Sequence, residues 1–241
     1  MDTSYERQLQ DQLAQYGISC ADEQAALLLH HLDLVIEKNK VVNLTRITNK
    51  EEAISLHVVD SLLPLACADV SMGTTTCFVD MGTGAGFPGI PLGVMTGASG
   101  LLVDSVGKKV AAVSEFLGEL GLVSLTAIHT RVEDVRHEVL GHQDYVFARA
   151  VAQTNVLIEY ATPLLSQGGC LVLEKARPDE NELACAERAA KLCGLTSVSR
   201  ETFELPYERG HREILIYQKT GRPKVKLPRR AGMAKQTPLG A

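Results

Sequence analysis

Across residues 3–68 apolar positions recur at three- and four-residue intervals, as in Leu27, Leu28, Leu32 and Val35, which predicts helices with one buried stripe each. Gly17 separates the first two of them. From Cys77 the period changes. Short apolar runs at 77–81, 100–104, 123–129, 145–148 and 170–174 predict strands, and the amphipathic stretches at 88–96, 107–121, 153–165 and 179–194 predict the helices between them. Alternation of this kind implies right-handed crossovers and a mainly parallel sheet. The last two candidate strands, 196–206 and 211–219, are too close for a crossover helix, so an antiparallel hairpin at the sheet edge is expected. The expected organisation is a helical N-terminal cap over residues 1–70, a doubly wound α/β core over 71–219 and a short tail over 220–241.

Charge makes that tail distinct. The 241 residues carry a net charge of -5, but seven basic residues and no acidic one lie from Lys219 onward. The first 218 residues therefore hold 17 basic against 29 acidic groups, a net -12, against +7 for the tail. Such a tail can track a phosphate backbone, with release of counterions, or it can simply be a solvated terminus. Hydrophobic residues at 45% and charged ones at 22% fit a folded globular enzyme and exclude fibrous or disordered classes. The longest apolar runs fall far short of the roughly 20 residues of a membrane span, and residues 1–10 lack a secretory pattern. A cytoplasmic protein without membrane association is expected. Six scattered cysteines form no close pair with metal-ligand spacing, so they read as small buried hydrophobes and no metal is expected.

The sharpest chemical signal is the run Cys77-Phe78-Val79-Asp80-Met81-Gly82-Thr83-Gly84-Ala85-Gly86-Phe87-Pro88-Gly89, a strand that passes through a glycine turn into a helix. Glycines let backbone amides approach a ligand closely, and in an open α/β sheet this turn borders the ligand crevice. Gly84, Gly86 and Gly89 also satisfy the dinucleotide fingerprint, so the glycines alone leave the ligand open. Asp80, two residues before the first glycine, favours S-adenosylmethionine, because a pyrophosphate beside a carboxylate would be repelled. About twenty residues on, Asp104 followed by Ser105 ends the next strand, where an acid accepts hydrogen bonds from ribose hydroxyls; a helix-capping aspartate is the alternative. Lys108 and Lys109 fall in the first turn of a helix, where the macrodipole disfavours cations and an anion such as RNA phosphate would compensate.

With these residues in place the chain resembles the RsmG family, also called glucose-inhibited division protein B. The resemblance spans nearly the whole chain. It rests on Asn43-Leu44-Thr45, His57 with Asp60-Ser61, the turn Gly82 to Gly89, and Asp104-Ser105 with Lys108-Lys109. Arg131-Val132-Glu133, Ala148-Arg149-Ala150-Val151-Ala152, Lys175 and Arg212 complete it. It implies a class I, Rossmann-like methyltransferase fold, S-adenosylmethionine as cofactor, and methylation of guanine N7 in 16S ribosomal RNA, at guanine 527 of the 530 loop. The substrate partner would be that RNA or the small ribosomal subunit, and the protein a monomer.

The resemblance also implies site roles. Asp80, Gly82, Gly84, Gly86, Phe87, Asp104 and Ser105 would hold the cofactor, Val132 and Glu133 would frame its adenine, and Arg149 would line the pocket. Arg149, Asn43 and Arg212 would serve the reaction centre. Lys108, Lys109, Arg131, Lys175, Arg229, Arg230 and Lys235 would face RNA, although alanines stand in the tail where the family's extended form has prolines. His57 and Asp60, three apart on a helix, are expected to be a hydrogen-bonded structural pair.

The N7 atom of guanine has a lone pair and no proton, so its methylation needs no general base, which suits a chain without an evident acid/base pair. An arginine near the ring nitrogens would oppose the positive charge gained there; Arg149 is better suited to a carboxylate, a phosphate or the guanine carbonyl. Two rival readings are an NAD(P)-dependent oxidoreductase, from Gly84, Gly86, Gly89 and Asp104, and a non-catalytic RNA-binding module, from the tail.

Overall fold

The computed structural model of the chain describes residues 3–135, 139–149 and 151–241; Ala150 of the Ala148 to Ala152 run lies outside them. Two helices open the fold, α1 (Thr3–Ala14) and α2 (Asp22–Asn39), parted by Gly17 in a left-handed conformation. A helical run follows, from α3 (Lys50–Ala53) through a π-helical turn (Ile54–Val59), α4 (Asp60–Leu62) and a 3-10 turn (Leu63–Ala66). The α/β part comprises β1 (Cys77–Met81), α5 (Gly89–Thr96), β2 (Ser99–Asp104), α6 (Gly107–Glu119), β3 (Leu125–His129), β4 (Gln143–Arg149), α7 (Thr154–Ala161), β5 (Leu165–Lys175), α8 (Glu180–Cys193), β6 (Leu195–Glu204) and β7 (His211–Lys219). A single helical turn, α9 (Met233–Gln236), lies in the tail.

The seven strands form one sheet in the order β3-β2-β1-β4-β5-β7-β6. The first five are parallel; β7 pairs antiparallel with both β5 and β6, so the final hairpin closes one edge as expected. Several element ends shift by about two residues from the sequence reading, and one boundary differs more. The apolar stretch 153–165 splits, with α7 ending at Ala161 and β5 starting at Leu165, because periodicity cannot separate a buried helix from a buried strand.

Each sheet face carries its own core. The N-terminal helices, through Leu9, Leu28, Leu32, Ile54 and Leu62, share one cluster with Phe78, Leu102 and Phe147. On the opposite face Val79, Val146 and Leu171 pack with α7, α8 and Ala234 of the tail. The cysteines are all free, but only Cys67, Cys170 and Cys193 are buried; Cys77, the first residue of β1, is exposed, contrary to expectation. No helix among the described residues is long and apolar enough to cross a membrane.

Candidate cofactor and substrate cleft

The order of strands reverses between β1 and β4, and in open α/β sheets the crevice for ligands lies at that point, beyond the carboxyl ends of the strands. A cleft of about 380 Å³ lies there, lined by Met81 and Gly82 after β1, Val103, Asp104 and Ser105 at the end of β2, and Val132 and Glu133 after β3. Arg149 and Val151 at the end of β4, Tyr160 of α7, and Gly232 and Lys235 of the tail close it.

The glycine turn folds around two carboxylates. Asp80 is fully buried, and its Oδ2 accepts the Gly89 amide at 2.9 Å. A Cβ at Gly89 would stand 2.8 Å from that oxygen, so only glycine permits the approach. Burial raises the Asp80 pKa to about 6, against the lowering effect of the Gly89 amide. Asp104 accepts the Gly84 amide on Oδ2 at 3.0 Å and the Val106 amide on Oδ1 at 2.8 Å. It thus ties β2 to the turn, while Val106 stands at the N-cap of α6. The amides of Gly82 and Thr83 bond to Val103 O, and those of Gly86 and Phe87 to Thr83 O. Gly82, at φ +78, closes on Val151, whose Cγ2 would lie 2.7 Å from any added Cβ.

Asp80, Gly84, Gly86 and Phe87 therefore stand behind the cleft wall, whereas Gly82, Asp104, Ser105, Val132, Glu133 and Arg149 face it. Phe87 is buried against His31 (centroids 4.5 Å) and stacked on His57 (4.9 Å), which locks the turn to α2 and the π-helical turn. His31 Nε2 meets Ala85 O at 2.9 Å, and burial lowers its pKa to about 4.

Asp60 and His57 do not form the expected pair. His57 Nε2 bonds to Thr45 Oγ1 at 2.8 Å, and its pKa falls to about 3 through burial and the neighbouring Arg149. Asp60 instead joins two arginines, taking Arg149 Nη1 at 3.2 Å and Arg212 Nε at 2.8 Å. A π-helical turn carries His57 and ends immediately before Asp60, so the spacing rule for a regular helix does not apply between them. Arg149 also reaches the carbonyls of Leu56 and His57, so its guanidinium is held by the N-terminal helices. Glu174, buried at the end of β5 and 4.0 Å from Arg149, has no hydrogen-bond partner on either oxygen among the described residues, and burial raises its pKa well above the usual carboxylate range.

The expected RNA-facing residues divide. Lys109 and Lys235 line the cleft, with Arg131 exposed at its mouth and Lys108 exposed on α6. Lys175 is spent internally, donating to Ala152 O at 2.8 Å and Glu182 Oε1 at 2.6 Å. Arg229 is held by the buried Glu159, through Nε at 2.7 Å, and only Arg230 beside it stays exposed. Asn43 is exposed in the loop after α2, where Asn39 does the turn capping, its Oδ1 accepting the amides of Leu44 and Thr45. No cluster of potential metal ligands is found among the described residues.

A parallel sheet of this strand order with an antiparallel β7 inserted beside β5, and a cleft beyond β1 and β2, defines the class I methyltransferase fold. The geranyl diphosphate C-methyltransferase of Streptomyces coelicolor A3(2) shares it at a TM-score of 0.58 and 9% identity, over 83% of this chain and 98% of that one. The family described as rRNA small subunit methyltransferase G matches residues 24–213, and the chain belongs to it. Similar relatives are the ribosomal RNA small subunit methyltransferase G of Carboxydothermus hydrogenoformans, 36% identical over 97% of this chain and 100% of the relative, and that of Gloeobacter violaceus, 40% identical over 86% and 83%.

Proposed function

We propose that the protein methylates guanine N7 in small-subunit ribosomal RNA with S-adenosylmethionine as methyl donor. The observation that carries the cofactor assignment is where the amides of the turn point. Those of Gly82, Thr83, Gly84, Gly86, Phe87 and Gly89 are all bonded within the protein, two of them to the carboxylates Asp104 and Asp80. A dinucleotide pyrophosphate needs such amides free and would meet negative charge behind them, whereas a cationic sulfonium is favoured there. This disfavours the oxidoreductase reading.

When bound, S-adenosylmethionine supplies a methyl group on a cationic sulfur. Asp104 keeps lone pairs toward the cleft for ribose hydroxyls, Glu133 and Val132 flank the adenine position, and Gly82 leaves room for the methionine portion. Arg149, paired with Asp60 and held by the carbonyls of the π-helical turn, is a fixed donor on the cleft wall suited to a carboxylate or to the guanine carbonyl oxygen, and does not act as a base. Because N7 carries no proton, the chain has only to place the purine in line with the methyl group, a contribution of orientation. Lys109 and Arg131 line the cleft and Lys108 is exposed beside Lys109 on α6, and the three suit the phosphates of an RNA with a splayed base.

The test is nucleoside mass spectrometry of small-subunit ribosomal RNA after incubation with the protein and labelled S-adenosylmethionine. New 7-methylguanosine is expected with the natural sequence and not with Gly82→Asp, whose side chain would collide with Val151 and put a carboxylate into the cleft. A methyl group on ribose or on cytosine would overturn the substrate assignment. Binding of NADH but not of S-adenosylhomocysteine would overturn the cofactor assignment.

A further inference from the structure

The basic tail is docked along its length. The amides of Thr220 and Gly221 bond to Gly194 O, and that of Lys224 to Leu192 O. Farther on, Arg229 grips Glu159, a carboxylate 3% exposed, and also donates to Thr237 O at 2.8 Å. Asn155 Nδ2 and Arg188 Nε hold the carbonyls of Leu239 and Gly240. Ala234, at the centre of this stretch, is 2% exposed. A free arm for RNA would not bury its middle or neutralise its arginine on an internal acid.

Held in this way, the segment reaches the cleft. Gly232 and Lys235 are part of its wall, and the Gly232 amide donates to Glu133 Oε1 at 3.1 Å. Glu133 lies after β3 and borders the same cleft, beside the hydroxyl of Tyr160, whose pKa burial and the Glu133 charge push up to about 12. One amide of the tail therefore fixes the orientation of a carboxylate on the cleft wall.

We propose that residues 228–239 are a strap of the cofactor site, which positions Glu133 and completes the nucleoside end of the cleft, and not an RNA-binding arm. This rests on the cleft being the site of S-adenosylmethionine. The strap residues are positioning residues: Arg229 and Glu159 anchor it, and Gly232 sets Glu133. Arg222, Lys224 and Lys226 are exposed and precede the strap, and contact of RNA with them is the competing outcome.

The experiment uses the full chain and Gly232→Pro, which removes the amide that holds Glu133 and cannot adopt the φ of +84 found there. S-adenosylhomocysteine affinity is measured by calorimetry, affinity for a small-subunit ribosomal RNA transcript by filter binding, and the urea midpoint without ligand. The strap predicts a loss of tenfold or more for S-adenosylhomocysteine, with RNA affinity within twofold, in a variant whose cooperative urea transition shows that it is folded. Equal S-adenosylhomocysteine affinity in both proteins, or a loss confined to RNA, overturns the strap and leaves the cofactor reading intact. Failure of the unaltered chain to bind S-adenosylhomocysteine overturns both. Hydrogen exchange in the unaltered chain supplies a measurement independent of the variant's folding: S-adenosylhomocysteine is expected to slow the amides of residues 229–237, and unchanged exchange there overturns the strap.

Discussion

At the residue scale, the turn is anchored from behind the cleft wall by Asp80 and His31, while Asp104 holds it from the cleft side. His31 is fully buried and neutral, with its pKa lowered from 6.5 to about 4 by burial. A base depressed in the folded state stabilises the protein fully above its unfolded pKa and loses that stability as pH falls toward the folded one. The window is thus about pH 6.5 down to 4. Urea unfolding at pH 7 and pH 5 should show a loss of about 2 kcal/mol from this side chain. His31→Gln, which can still donate to Ala85 O, should flatten the dependence by about one proton; an unchanged slope would show that His31 does not titrate in this way. Asp80 behaves in the opposite sense. Its pKa is raised from 3.8 to about 6, so its contribution is greatest below pH 3.8 and is lost as pH rises to 6. Asp80→Asn should therefore gain stability relative to the unaltered chain across that interval, as read by urea midpoints from pH 4 to 7. A parallel pair of curves would contradict the burial argument.

Among elements, α8 shows how local signals and packing divide the work. Asp179 at its N-cap accepts the Glu182 amide at 2.7 Å, and Gly194 ends it in a left-handed conformation. Asp179→Ala should cost about 1 kcal/mol, which for a chain of this size is a fall of roughly 2–4 °C in Tm. Calorimetry that finds no change would show the cap to be replaced by water. Strands and crossover helices of the α/β part were legible because their periods differ, and the hairpin because 195–219 has no room for a crossover. The boundary between α7 and β5 was not, since α7 is buried on all sides and runs through the equally buried Leu164 into the start of β5 at Leu165. The π-helical turn at Ile54–Val59 was equally hidden, and with it the true partners of His57 and Asp60.

For the whole molecule, three charge contacts tie distant parts of the chain together. Asp60 of α4 holds Arg149 of β4 and Arg212 of β7, and Glu159 of α7 holds Arg229 of the tail. Removing one partner of a buried pair leaves the other uncompensated, so Arg229→Met should destabilise by roughly 3 kcal/mol. Glu159→Leu combined with it should recover most of that loss. A double variant no more stable than the single one, by urea denaturation, would refute the view that the isolated Glu159 charge is the cause.

The amino-acid sequence by itself determined the class of fold, the glycine turn and the acid after β2, because strand and helix periods, glycines and strand-end acids are local and leave their pattern in consecutive residues. It also marked Arg149, Lys109 and Glu133, which the fold brings to one cleft. Only the tertiary structure decided which charges meet. Glu159 stands as a lone acid in an apolar helix and Arg229 among several equal cations, and nothing in their spacing of 70 positions couples them. Burial does: a carboxylate withdrawn from water must find a cation, and the folded chain brings the tail's arginine to it.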